Sequence, residues 1–163
     1  MEGKSDPVED TVLILVDVRG YKVDERKDGD DGTTLRCSRE GRHMVVVLLN
    51  IPLNVPRLHD YVSNLHHTIL VAPSATSSAK RKVAAFSNME FFSNEDMHFC
   101  IMAHKDASKH EKVKSAPAAK DKLPELQPDD AMVKFNGWQR GDIIRITRRS
   151  ESPGLYYYYR VVV

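Results

Sequence analysis

Little in this sequence supports the commoner chemistries. It contains no GxSxG, no Walker A and no GxGxxG stretch, so hydrolase, nucleoside-triphosphate and dinucleotide readings have no foothold. Cysteine occurs twice, at Cys37 and Cys100, with no CxxC or zinc spacing, which implies reduced structural thiols. Neither charge sign is in excess. With 24 Lys and Arg against 23 Asp and Glu the net charge is +1, too small for a chain whose main work is coating nucleic acid, although a local basic patch stays open. Long apolar runs are missing as well. The longest, MVVVLLNIPL at residues 44–53, is too short to cross a bilayer. The polar, acidic opening MEGKSDPVEDT has the character of neither a secretory signal nor a transit peptide, so a soluble intracellular protein without membrane contact is expected.

Metal and nucleophile chemistry fare no better. Of the seven histidines, the adjacent His66 and His67 point apart on a helix end, and His104 and His110 have no acidic or cysteine ligand spaced to complete a site. Cys100 beside His98 or His104 suggests a thiol–imidazole pair, but an apolar setting favours a buried, inert thiol. A nuclease would need several carboxylates on strand ends to hold a divalent ion. Only Asp17 is well placed. No catalytic residue, metal site or cofactor is expected.

What remains is an ordinary globular composition, 41% hydrophobic and 29% charged, over enough residues to bury a core. The β-branched run TVLILVDV (11–18) reads as a buried strand, and the charged, glycine-rich DERKDGDDGTT (24–34) as an exposed loop. HMVVVLLNI reads as a second buried strand. NVPRLHDYVSNLHH has an N-cap at Asn54, Pro56 in the first turn and apolar residues at helical spacing. TILVAP is a third strand and SATSSAKRKVAAFS a short capped helix. Alternation at Met97, Phe99 and Ile101 suggests a fourth strand. Helices between strands imply some parallel pairing.

Residues 103–122, rich in lysine and alanine, read as a linker. Beyond them PDDAMVKFNG predicts a short helix with Asp129 or Asp130 at its start and Gly137 as its C-cap. QRGD is a turn, IIRIT a strand, SESPG a turn and LYYYYRVVV a strand. On the last strand, Leu155, Tyr157, Tyr159, Val161 and Val163 form one face that can pack inward, and the other face or the edge is left for a partner. The expected organisation is α/β (α+β), with a mixed-sheet domain at 1–102, a linker at 103–122 and a helix-plus-hairpin unit at 123–163. A unit of that size is marginal alone.

Two stretches suggest binding. In TSSAKRK, Thr76 and the free N–H groups of a helix start precede Lys80, Arg81 and Lys82, an arrangement that suits a phosphate; a capped helix with a solvated basic face is the plainer reading. The tyrosines and arginines of the last hairpin suit a protein interface.

Residues 123–163 resemble, without a gap, the assembly domain of one RNA polymerase subunit family. It comprises the archaeal H polypeptide and the fifth shared subunit of eukaryotic nuclear RNA polymerases. The matching positions are Leu123-Pro124, Asp130, Gly137, Gly141, Arg145, Arg148, Ser150-Glu151, Gly154 and Tyr159-Arg160. Upstream, His104 and His110 fall where the family has H-x5-H, and TSSAK resembles its T-P-S-A-K. The runs from Val12 and Met44 look like strands of the eukaryotic jaw domain. Ala131, Ser77 and Ala107-Ser108 depart from the family's prolines. A strand at Thr11 would also stand where a helix opens the eukaryotic jaw, which bears on jaw–DNA contact. These departures suggest a diverged paralogue, of trypanosomatid RNA polymerase I or, as a competing source, of a large-DNA-virus polymerase.

The resemblance implies a non-catalytic polymerase subunit without a cofactor of its own. The jaw-like domain would lie beside downstream duplex DNA, with weak phosphate contacts from Thr76, Lys80, Arg81 and Lys82. Arg145, Arg148, Tyr156, Tyr157, Tyr158, Tyr159 and Arg160 would dock on the largest subunit, among other subunits. It implies residence in the nucleus, in the nucleolus for polymerase I, and in the cytoplasm only for a virus. The alternative is a free-standing nucleic-acid-binding or nuclease-like α/β protein.

Overall fold

The computed structural model describes residues 6–62, 65–104, 107–150 and 154–163. Two compact units result, Met1–Phe99 and Cys100–Val163. The expected α/β layering is present: a mixed sheet with helices in the first unit, a smaller helix-and-strand assembly in the second.

The first unit begins with a correction. Residues 11–18 are not a strand; they belong to helix α1, Pro7–Val18. Asp6 caps it by accepting from the Val8 N–H at 3.0 Å, and Pro7 stands at its first position. Val8, Thr11, Val12, Leu15 and Val16 are buried at i, i+3, i+4 spacing. Leu13, Ile14 and Val18 are also apolar but about two-fifths exposed, and this second stripe made the run resemble a strand. The strand at Thr11 on which the missing-helix departure rested is therefore not there.

A second correction follows at once. The charged residues 24–34 form most of a hairpin, β1 (Lys22–Gly29) and β2 (Gly32–Arg39), rather than a loop. Cross-strand pairs replace apolar burial here. Arg36 reaches Glu25 at 2.9 Å, Ser38 reaches Asp24 at 3.0 Å and Thr33 reaches Asp28 at 2.7 Å. At the turn Gly32 has φ +145°, and a Cβ there would lie 1.9 Å from the Leu48 carbonyl oxygen.

β3 (Arg42–Leu49) and β4 (His67–Ala72) are the buried strands expected from their apolar runs, and α2 (Val55–Tyr61) and α3 (Ser77–Ala85) are the expected helices. Asn54 and Thr76 cap them by accepting from Arg57 N–H and Ala79 N–H. α2 is shorter than its apolar spacing suggested: Val62 is already extended. The fourth strand lies earlier than expected, as β5 (Met89–Ser93). Ser93 and Asp96 then form a reciprocal capping box that starts α4 (Asn94–Met97), which overrides the alternation at Met97 and Phe99.

The sheet order is β1-β2-β3-β4-β5, antiparallel to β3 and parallel from there on, with α2 and α3 as crossovers. Val47, Leu49, Leu70 and Ala72 bury one pleat with Leu58, Ala79 and Val83 of the crossover helices. The opposite pleat, including Leu35, Met44, Val46, Ile69 and Val71, is buried too. Both faces are covered, which is why β3 and β4 read as unbroken apolar runs.

The second unit holds a four-stranded sheet in the order β6-β8-β9-β7, from β6 (Lys109–Val113), β7 (Glu125–Leu126), β8 (Ile143–Ser150) and β9 (Gly154–Val162). β6 lies within the lysine-rich stretch read as a linker. Helix α5 (Ala131–Asn136) is capped by Asp130, whose Oδ1 accepts from Met132 N–H at 2.8 Å, and it ends on Gly137 at φ +66°. Leu126, Val133, Ile144, Ile146 and Val162 form the core, with Trp138 against it. The inward face of β9 is thus the one carrying Val162. It is not the face of Leu155, Tyr157 and Tyr159.

Candidate functional site

The hairpin β8–β9 is the most distinctive surface of the second unit. Its strands pair without a bulge from Ile143↔Val161 to Ser150↔Gly154. Residues directly opposite share a face, so Ile144, Ile146 and Arg148 stand with Arg160, Tyr158 and Tyr156, while Arg145 and Thr147 stand with Tyr159 and Tyr157. The core covers the first face only near Ile144, Ile146 and Val162. Beyond it Tyr156 and Tyr158 are 44% and 49% exposed, and on the other face Leu155 and Tyr157 are 56% and 53% exposed. The sheet outruns its helix.

Cations back both aromatic faces. The Arg148 guanidinium lies 5.5 Å from the Tyr158 ring centroid and Arg145 lies 5.4 Å from that of Tyr157. Tyr156 and Tyr158 stack obliquely at 6.4 Å. Arg145 is held from behind by Glu111 of β6, which accepts from its Nη2 at 2.7 Å. Hydrogen bonds from Lys109 and from Arg145 keep the Glu111 carboxyl below the usual range. Arg160 donates to the Glu125 carbonyl at 3.1 Å, tying β9 to β7. The expected docking residues are therefore together on one hairpin, whereas Glu111 and the exposed Arg149 and Leu155 were not singled out from sequence. The period-two pattern of β6 was hidden by its lysines. Glu151 of the resemblance lies outside the described residues.

The basic helix lies in the first unit. Lys80, Arg81 and Lys82 are exposed on α3. Lys80 sits 5.7 Å from the Phe91 ring centroid, and Lys82 donates to His59 Nε2 at 3.4 Å, which brings α2 beside the patch. Thr76 is first a cap, its hydroxyl oxygen accepting from Ala79 N–H at 3.2 Å.

No group of three or more His, Cys, Asp or Glu able to hold a metal occurs among the described residues. His67 pairs with Glu90 at 2.7 Å, and His66 meets His43 edge-on at 5.8 Å. His110 Nδ1–H donates to the Ser108 carbonyl. Cys37 is buried, and desolvation, with the charge of Asp24, pushes its thiol up to about 11, far from a reactive thiolate. Cys100 is buried beside a 3-10 turn and not within a strand. No helix among the described residues is long and apolar enough to cross a membrane.

The comparisons with known proteins point to one family. A family model described as "RNA polymerase Rpb5, C-terminal domain" matches residues 98–162. The chain is 53% identical over 53 residues to the DNA-directed RNA polymerase subunit Rpo5 of Pyrococcus horikoshii, covering 32% of this chain and 61% of that one. It is 31% identical over 109 residues to the DNA-directed RNA polymerases I, II, and III subunit rpabc1 of Dictyostelium discoideum, covering 58% and 55%. The chain thus spans about three fifths of the length of the first curated relatives it matches. The Rpo5 subunit of Archaeoglobus fulgidus, 36% identical over 69 residues, is matched over 91% of its own length and 40% of this chain. With one relative matched over 91% of its own length, and a family model on residues 98–162 that include the β8–β9 hairpin, the chain belongs to the Rpb5/Rpo5 family of RNA polymerase subunits.

Proposed function

We propose that this chain is a non-catalytic, structural subunit of a multisubunit DNA-directed RNA polymerase. The observation that carries the reading is the match of the Rpb5 C-terminal family model over residues 98–162, whose hairpin leaves Leu155 and three tyrosines exposed with arginines behind them. An isolated domain gains nothing from that surface, and a partner buries it. The second unit serves as the assembly domain and docks on the largest subunit through Arg145, Arg148, Tyr156, Tyr157, Tyr158, Tyr159 and Arg160. Tyrosine and arginine combine contact area with polar handles, which favours them at the energetic centre of interfaces.

The first unit serves as a jaw-like domain near downstream duplex DNA. Lys80, Arg81 and Lys82, beside Thr76, contact phosphates and contribute position rather than sequence choice. The chain works where its polymerase works: in the nucleus if its source is eukaryotic, as the Dictyostelium relative suggests, and in the nucleolus if the enzyme is polymerase I.

The test is co-purification. A tagged full-length chain brings down the large polymerase subunits at high salt, because a mainly apolar interface resists screening. Tyr159→Ala combined with Arg160→Ala abolishes incorporation while the first unit stays folded by circular dichroism. Recovery of a lone monomer with strong, salt-sensitive DNA affinity would overturn the proposal.

A further inference from the structure

Among the described residues, nothing fills the outer edge of strand β9 along most of its length. Val162 N–H donates to the Asp142 carbonyl, on the β8 side, while Val161 N–H and Val163 N–H donate to Pro124 and Leu126 on the β7 side. Backbone direction alternates along a strand, so Leu155, Tyr157 and Tyr159 turn their N–H and C=O groups the same way as Val161. β7 pairs only with Val161 and Val162. Its extension is blocked chemically: Pro124 accepts from Val161 but has no N–H to return to the Tyr159 carbonyl. Among the described residues no backbone bond reaches the outward groups of Leu155, Tyr157 and Tyr159.

The outer edges of β1 and β6 are guarded, and the remaining edge strands, β5 and β7, are only five and two residues long. β1 carries Asp24, Glu25, Arg26, Lys27 and Asp28 and a register shift between Val23 and Glu25. β6 carries Lys109 and Lys112. β9 has neither a bulge nor a lysine, and four tyrosines occupy the open stretch. Guarding devices are what soluble proteins use against unwanted strand pairing, and their omission here marks a strand built to be paired.

We propose that β9 recruits its partner by strand addition: an extended, acidic segment of about five residues from another polymerase subunit pairs with Leu155, Tyr157 and Tyr159, in line with β7. This rests on the assembly reading above and specifies its contact. Acidity follows from charge. Residues 100–163 hold twelve Lys and Arg against eight Asp and Glu, and Arg148, Arg149 and Arg160 are exposed around the open stretch. The same charges disfavour a second copy of this chain, whose own arginines would meet these. Side chains of the added strand alternate onto the two tyrosine faces, giving specificity to what the backbone bonds hold.

The test compares amide hydrogen exchange at residues 154–160 in the free full-length chain and in polymerase recovered with it. Tyr156, Tyr158 and Arg160 already bond within the hairpin, so the complex protects up to three further amides. Tyr157→Pro deletes one outward N–H and leaves the β8 ladder intact. It lowers recovery of large subunits by about tenfold or more beyond Tyr157→Ala, which loses the same side chain but keeps the N–H. Unchanged Trp138 fluorescence reports that the variant folds; if it does not, the exchange measurement decides alone. If the wild-type chain recovers no polymerase subunits, the assembly reading fails and this one with it. If polymerase is recovered but the three amides exchange as fast as before, or Tyr157→Pro incorporates undiminished, strand addition is wrong and assembly stands. Dimers of the free chain with the same protection would overturn the acidic partner in favour of a second copy.

Discussion

Replacing Glu90 by Gln should make the first unit lose a pH-dependent part of its stability. Glu90 on β5 accepts from Arg19 in a two-pronged pair, at 2.8 and 2.7 Å, and is bonded to His67 at 2.7 Å. The Arg19 side chain is 7% exposed and that of Glu90 26%. Burial alone would raise the carboxyl, but the Arg19 and His67 hydrogen bonds overcome it and bring it from 4.5 to about 2. A folded-state value below the unfolded one means stability present above about pH 4.5 and lost as pH falls towards 2. The difference of about 2.5 units corresponds to about 3 kcal/mol. Cutting a buried pair costs about 3–5 kcal/mol, the same order. For an m-value of about 1.5 kcal/mol/M the urea midpoint of Glu90→Gln drops by about 2 M at pH 7. Far-UV circular dichroism follows this transition, while Trp138, the one tryptophan of the chain, reports the second unit. The gap between wild type and variant should close between pH 5 and pH 2. A gap that stays constant across that range would refute the reasoning.

Ile144, fully buried in the small core of the second unit, should cost about 2–5 kcal/mol as Ile144→Ala, read as a lowered midpoint of Trp138 fluorescence; a cost under about 1 kcal/mol would mean that this core is not what holds the sheet. Replacing Lys80, Arg81 and Lys82 together by Gln should weaken DNA binding of the full chain and flatten its salt dependence, measured by fluorescence anisotropy. The log–log slope should fall by about 0.9 for each phosphate no longer neutralised, and an unchanged slope places the DNA elsewhere or nowhere.

Legibility varied with the kind of signal. Caps were readable because they are local: Asn54 was legible outright, the structure chose Asp130 over Asp129, and Thr76 proved to cap the helix expected after it, each accepting backbone N–H groups two or three positions on. The buried strands β3 and β4 were readable because burial on both faces leaves an unbroken apolar run. α1 was misread because its outer residues Leu13, Ile14 and Val18 erased the helical period, although Asp6 and Pro7 were the local sign of a helix start. The β1–β2 hairpin escaped because its pairing partners are charges, such as Glu25 with Arg36, whose value appears only once the strands face each other. Lysines in β6 hid a strand whose main reason to exist is Ile143–Thr147 of β8 beside it.

By itself the sequence determined the family, through motif residues from Leu123 to Arg160, along with the two buried strands, the crossover helices and the caps. It also concentrated tyrosine and arginine in one hairpin. The tertiary structure alone decided which face of β9 meets the core and which edge stays open. The first depends on Val162 standing opposite α5 with Ile144 and Ile146. The second depends on Pro124 arriving beside Val161 and ending the ladder there. Both are relations between segments far apart in the chain, and alternation along a strand is blind to them: it separates two faces without saying what lies against either.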